Sequence, residues 1–240
     1  MVKVIVSFDT EDFITPETDD AVKKIAEILK RHKIRGCFCI VGEKARVLRD
    51  RGRWDVVKAL SFHEISYHSN YHSVHPTIAE FCNKLNLQKG ILETIKREYK
   101  GIFDIKEIFG QYPIANCPPG NSWAPQALYA QKLLGIPVFT GSFIEGENGT
   151  PLWYCYTLNI KYHLAMDGYI GEKNRIELLK KEFEKLYKAR HMKGGYIVLY
   201  MHPCKLITQD FWDGGFNFMK GKNPPEEKWK LAVLGNKNEQ

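Results

Sequence analysis

The stretch VKVIVSFDTEDF, residues 2–13, runs from an apolar, β-branched segment straight into a turn that carries Asp9, Glu11 and Asp12 and no glycine. Its first half reads as a buried parallel strand. The turn then separates two α/β architectures. An open doubly wound sheet that binds a dinucleotide needs a glycine-rich turn after its first strand, so that backbone N–H groups can approach a phosphate. Three acidic side chains at that place repel a phosphate. A (β/α) barrel gathers its functional groups on the loops at the C-terminal ends of its strands, and an acidic loop suits that arrangement.

The rest of the chain alternates short apolar runs with helical patterns, as parallel strands joined by crossover helices do. The segment DDAVKKIAEILKRH, residues 19–32, places Val22, Ile25, Ile28 and Leu29 on one helical face, with Thr18 or Asp19 available as a cap and Gly36 beyond its end. CFCIVG (37–42), HEISY (63–67), YPIANC (112–117), IPVFTGS (136–142), WYCYTL (153–158) and YIVLYM (196–201) read as further strands. Helices are expected from about Glu43, between Thr77 and Phe109 with an interruption near Gly90, over 124–135 with Gly135 as the stop, and from Asn174 to about His191. No repeat, low-complexity tract or linker divides the chain. The expectation is an α/β fold, a single-domain distorted (β/α) barrel with about seven parallel strands, spanning residues 1–240.

Composition narrows the function classes. With 44% hydrophobic and 26% charged residues the chain is that of a soluble globular protein. The net charge of +7 is modest, and in the richest basic run, KKEFEKLYKARHMK (180–193), lysines alternate with glutamates at helical spacing. That is a solvated helix face and not a nucleic-acid groove. The six cysteines contain no Cys-x-x-Cys and show no framework, so buried thiols in a reducing compartment are expected. The N-terminus enters a strand at once, without the features of a signal peptide, and no apolar run approaches a membrane span, so a cytoplasmic protein is expected.

The polar residues collect in one place. Asp9, Glu11 and Asp12 follow the first strand, His68 and His72 follow HEISY, the run NCPPG follows YPIA, and His202 follows YIVLYM. Each group stands at the C-terminal end of a different expected strand, so in a barrel they share one face. His68 and His72 are four apart, and with one carboxylate from the acidic turn they make a ligand set with open positions, as catalytic metal sites have. One of the three acids is expected merely to cap the turn. HEISYH superficially resembles the His-Glu-x-x-His helix of metalloproteases, but its histidines, 63 and 68, are five apart on a strand and do not share a face. His63 is expected to be structural, and His75, before Pro76, to begin the next loop.

These residues resemble the motifs of the polysaccharide deacetylases of carbohydrate esterase family four, the group sharing the NodB homology domain. His68-Ser69-Asn70-Tyr71-His72 matches the family's His-[Ser/Thr]-x-x-His in full. Ser7-Phe8-Asp9-Thr10-Glu11-Asp12 is a variant of Thr-Phe-Asp-Asp-Gly, Asn116-Cys117-Pro118-Pro119-Gly120 matches Arg-x-Pro-x-Gly without its arginine, and Tyr200-Met201-His202 stands for Leu-x-His.

The resemblance implies a metal-dependent hydrolase that removes an N-acetyl or related N-acyl group from an amino sugar or saccharide. The divalent ion it implies is zinc, with cobalt, nickel or manganese as alternatives. By position, Asp9 is the expected general base, His202 the general acid, and His68 and His72 the metal ligands. Thr10 stands where the family's metal aspartate belongs, so Asp12 is the expected third ligand, with Glu11 in reserve. Backbone N–H groups near Pro119, Gly120 and Asn121 are expected to hold the oxyanion; proline has no N–H, which leaves Gly120 or Asn121. Trp123 or Trp153 is the expected aromatic wall. The expected partner is a small-molecule or oligosaccharide substrate. Two other readings remain open: a hydrolase of another C–N bond, in a formamide or a cyclic ureide and with or without metal, and a sugar-binding relative without turnover.

Overall fold

In the computed structural model, residues 1–141, 146, 150–191 and 195–215 are described. The last residue of IPVFTGS and the end of the glycine- and aromatic-rich run FWDGGFNF (211–218) lie outside them. The chain order is β1 (Val2–Thr10), α1 (Thr18–Arg31), β2 (Cys37–Ile40), α2 (Gly42–Asp50), α3 (Trp54–Leu60), β3 (Glu64–Tyr67), α4 (Ile78–Lys84) and α5 (Leu87–Phe109). Then follow β4 (Ala115–Asn116), α6 (Pro125–Leu133), β5 (Val138–Gly141), β6 (Leu152–Tyr154), β7 (Thr157–Lys161), β8 (Leu164–Ala165), α7 (Arg175–Arg190) and β9 (Gly195–Met201).

The strands form one sheet in the order β6-β7-β5-β4-β3-β2-β1-β9-β8. Every ladder is parallel except β6 with β7. Eight strands therefore run parallel in a curled, incomplete barrel, close to the expected seven. The eighth, β8, is two residues long and gave no signal in the sequence.

Strand alternation sorts the side chains. Phe8, Phe38, Ile40, Ile65 and Tyr67 face outward and pack with Val22, Ala26, Leu48, Leu60 and Ile105 from the helices. Each of these strand residues is at most 4% exposed, and removing such side chains from water is the main stabilising term, roughly 1.5–3 kcal/mol apiece. The alternate residues of the same strands point to the barrel interior, where Cys39 and Cys117 pack with Ile160, Tyr162 and Val198. Asp9 stands level with Cys39 on β2, so the inner face of β1 delivers its carboxylate into the mouth.

Four sequence expectations change. WYCYTL is not one strand but a hairpin, β6 and β7, because Cys155 and Tyr156 take left-handed φ of 48° and 61°; two such residues make the tight turn that matches strand twist. The break between Thr77 and Phe109 falls at Leu85–Asn86, where the Asn86 side chain accepts from the Lys89 N–H at 2.9 Å and caps α5. Gly90 lies inside α5, where a Cβ would stand 2.6 Å from Gln126 Cγ, so it is a packing glycine and not a breaker. Neither Thr18 nor Asp19 caps α1. Asp19 is fully buried and pairs with Lys44 and with Arg51 (3.1 Å). Finally, the cysteines are not all thiols: Cys39 and Cys117 form a disulfide that spans β3, while Cys37, Cys82, Cys155 and Cys204 are free.

Candidate functional site

At the C-terminal edge of the parallel strands lies a cavity of about 540 Å³. Asp9, Glu11, His68, His72 and His202 all line it. Residues nearly the length of the chain apart meet there because each stands at or just beyond the C-terminal end of a parallel strand.

The histidine loop is a tight turn, not a helix. Ser69 and His72 have φ of 64° and 54°, and the Ser69 hydroxyl accepts from the His72 N–H at 2.9 Å. The start of α2 holds the loop from outside, with the Gly42 N–H donating to Ser69 O (3.0 Å) and the Glu43 N–H to Asn70 O (2.9 Å). Beneath it, buried Glu98 accepts from the Tyr67 hydroxyl (2.7 Å) and from the Asn70 N–H (2.9 Å). Left-handed backbone is costly for residues other than glycine, so these contacts are what keep the two rings converging, with centroids 5.2 Å apart.

Glu11 Oε2 stands 3.0 Å from His68 Nε2 and 2.7 Å from His72 Nε2. The three groups offer ligand atoms that all lie within 4.8 Å of one another. His68 donates from Nδ1 to the Cys117 carbonyl at 2.6 Å, so that ring turns its Nε2 to Glu11. Two imidazole nitrogens and one carboxylate oxygen suit a divalent transition metal with positions left for water and substrate. Burial alone would raise the Glu11 pKa, but His72, His202 and the hydrogen bonds from His68 and His72 outweigh it and hold the carboxyl well below the usual range. It is an anion poised for a cation.

Asp12, the carboxylate expected as ligand, faces away from this cluster. Its Oδ1 accepts the N–H groups of Ile14 and Thr15, both at 2.9 Å, and its carbonyl accepts from Lys44 at 2.5 Å. It is the capping acid of the turn, and Glu11 occupies the place expected for it.

Asp9 is 4% exposed and accepts from the Tyr162 hydroxyl at 3.3 Å. Burial pushes its carboxyl above the usual range, and Glu11 adds to this while His68 and His202 work against it. His202 Nε2 lies 3.5 Å from Asp9 Oδ2. On its other side, His202 Nδ1 is hydrogen-bonded to Asp167 Oδ2, and the His202 backbone N–H donates to Asp167 Oδ1 at 2.9 Å. Burial opposes a charged imidazole, but Glu11, Asp167 and Asp9 outweigh it and raise the His202 pKa to about 10.

The remaining expectations divide. Pro119, Gly120 and Asn121 line the cavity, but the Asn121 N–H donates to Pro118 O at 3.2 Å to close its own turn. Trp123 is not part of the cavity lining; it packs edge-on to Tyr154, with centroids 5.8 Å apart. The aromatic walls are Tyr162, Tyr200 and Phe211 instead. His75 does line the cavity, with Nδ1 2.7 Å from Glu80. His63 is structural, bonded to Gly36 N–H and Ala26 O. Asn116, which stands where the resembled motif carries arginine, is buried with its Oδ1 lacking a hydrogen-bond partner among the described residues.

Sequence reasoning missed Tyr162, Asp167, Ser73 and Asp213, and the contact that Trp212 makes with Glu11. Trp212 donates from Nε1 to Glu11 Oε1 at 2.9 Å. No local pattern marks these residues, because each reaches the site only through the tertiary fold.

No family model matches this sequence, and no curated protein does. Solved structures do match. One described as a polysaccharide deacetylase from Pseudomonas aeruginosa PAO1 aligns at TM-score 0.59 and 13% identity, over 84% of this chain and 77% of that one. Another so described, from Mycobacterium smegmatis, aligns at TM-score 0.57 and 15% identity, over 84% and 77%. The polysaccharide deacetylase Bc1974 from Bacillus cereus aligns at 0.50 and 12%, over 85% and 80%. The fold is that of the polysaccharide deacetylases. At this level of identity the likeness is one of fold. Within the polysaccharide deacetylase fold the site residues must be argued from their own geometry. Among the described residues no helix is long and apolar enough to cross a membrane.

Proposed function

We propose that the protein is a metal-dependent hydrolase that removes an N-acetyl or related N-acyl group from an amino sugar or saccharide. The observation that carries this reading is the Glu11–His68–His72 cluster set beside the Asp9–His202 pair in one cavity. An amide is a poor electrophile with a poor leaving group, so its hydrolysis needs an activated water, a held oxyanion and a proton for the departing amine.

Glu11, His68 and His72 would hold the metal. A divalent ion in such a site, zinc being the best match to these donors, supplies Lewis-acid polarisation of a carbonyl and acidifies water. Asp9 takes the proton from the attacking water. Its raised pKa brings the base nearer to neutrality, where proton abstraction is most effective. His202, with a pKa of about 10, carries a proton at neutral pH and delivers it to the leaving nitrogen, with Asp167 orienting the ring. Because Asn121 is committed to Pro118, the oxyanion donor falls to Gly120. The cavity is within the size range of ligand sites, and its tyrosine and phenylalanine walls suit the apolar face of a sugar ring.

The test is release of acetate from a panel of N-acetylated amino sugars and their oligomers by zinc-loaded protein. Activity in the wild type, lowered about 10²- to 10⁴-fold in Asp9→Asn and His202→Ala, supports the proposal. Wild-type protein that holds zinc and releases no acyl group from any of them contradicts it.

A further inference from the structure

The two histidines of the cluster are anchored in different ways. His68 uses a backbone carbonyl, that of Cys117, which no side-chain change can remove. His72 uses side chains. Its Nδ1 bonds to the Ser73 hydroxyl, and that hydroxyl in turn donates to Asp213 Oδ2 at 2.5 Å. A hydroxyl has one proton. With that proton given to the carboxylate, the serine oxygen can only accept from the ring, so His72 Nδ1 carries its own hydrogen and Nε2 is the atom turned to Glu11.

Asp213 is 2% exposed, and a carboxylate so deeply buried needs partners to offset its desolvation. Those partners are Ser73 and, 3.8 Å away, His72 Nδ1. Asp213 adjoins Trp212, which already holds Glu11, so one short segment reaches two of the three clustered groups.

We infer that Asp213, acting through Ser73, is a positioning residue for His72, fixing its ring with Nδ1 protonated and Nε2 directed into the ligand cluster. The effect on metal affinity rests on the proposed metal site; the proton on Nδ1 does not. Imidazole ligands held in this way lose roughly ten- to a hundredfold in metal affinity when the outer partner is removed.

The experiment uses the full chain as Ser73→Ala, Asp213→Asn, the double variant and Ser73→Thr. Zinc affinity is read by chelator competition, and the His72 ring protons by NMR in metal-free protein. Each single change is expected to weaken zinc binding by about ten- to a hundredfold. The double change is expected to weaken it no further than the worse single, and Ser73→Thr, which keeps the hydroxyl, to restore it. Metal-free wild type should show a protected Nδ1–H on His72 that exchanges freely in Ser73→Ala. If the single losses add in the double variant, or if only thermal stability falls while zinc affinity is unchanged, the pair merely anchors its segment and the inference fails. An unprotonated Nδ1 in the wild type also overturns it. Wild type that binds no zinc sinks the metal-site reading instead, and the ring-proton measurement still decides the role of Asp213.

Discussion

The Glu11 carboxylate and the His72 imidazole meet at 2.7 Å, Oε2 to Nε2, with His68 Nε2 3.0 Å from the same oxygen. In the acidic turn this contact puts Glu11 in the histidine cluster and leaves Asp12 to the turn itself. Glu11 is held by Trp212 and the two histidines, whereas Asp12 spends its carboxylate on the backbone of Ile14 and Thr15.

Asp12→Ala should therefore act on stability and not on metal. Removing an acceptor of two backbone N–H groups is expected to destabilise the fold by about 1–3 kcal/mol. Denaturant unfolding measures that loss, and zinc affinity should stay within about threefold of wild type. A selective loss of zinc in Asp12→Ala, with stability intact, would reverse the assignment of the two acids.

The pH profile of hydrolysis should be a bell whose alkaline limb reports His202, held above the ordinary imidazole range by Asp167 and Asp9 once Glu11 is engaged by the metal. Its acid limb should report Asp9, above the ordinary carboxylate range. Asp167→Asn removes the charge that bonds His202 Nδ1 and should move the alkaline limb downward while leaving the acid limb in place. The sign for stability follows from the same shift. A folded pKa of about 10 exceeds the unfolded value of ~6.5, so this contribution is complete below pH 6.5 and fades as pH rises through 10.

Glu98 titrates in the opposite chemical sense but with the same linkage. Burial raises its pKa to about 7, although the Tyr67 hydroxyl and the Asn70 N–H favour the ionised form. The folded state therefore keeps a proton that the unfolded chain has lost, and stability should fall by roughly 3 kcal/mol as pH rises from about 4.5 to 7. Glu98→Gln, which keeps an acceptor for both donors, should flatten this slope in denaturant unfolding at several pH values. An unchanged slope would mean that Glu98 is not its source.

Gly101 makes room for the histidine loop. A Cβ there would stand 2.7 Å from Asn70 Oδ1 and 2.8 Å from the Tyr67 hydroxyl, both of which hold the loop from below. Gly101→Ala should destabilise the protein by about 1–3 kcal/mol through overpacking and should weaken metal binding as the loop shifts. Calorimetry and zinc titration of the same variant check both parts.

Much of this arrangement was legible because it follows from periodicity. The parallel strands announce themselves as short apolar runs, and the residues just after them must share one edge, which is how Asp9, His68, His72 and His202 could be grouped before any coordinates. The choice of Glu11 was also within reach. Carrying the alternation of β1 past its last residue, Thr10, puts Glu11 on the side of Asp9 and Asp12 on the other. The β6–β7 turn was not legible, because Cys155 and Tyr156 adopt left-handed backbone without the glycine or asparagine that usually marks it. The roles of Asp167, Trp212 and Asp213 were not legible either. A single carboxylate or indole in a loop has no period, and only packing brings it to His202, Glu11 or Ser73.

The most direct test of the account is elemental analysis of protein purified without chelator, comparing wild type with Glu11→Gln, with Asp12→Asn and with the double change His68→Ala and His72→Ala. The account predicts about one equivalent of zinc or a similar divalent ion in wild type and in Asp12→Asn, and its loss in the other two. Wild-type protein that takes up no metal, even after incubation with zinc, cobalt, nickel or manganese, would contradict it.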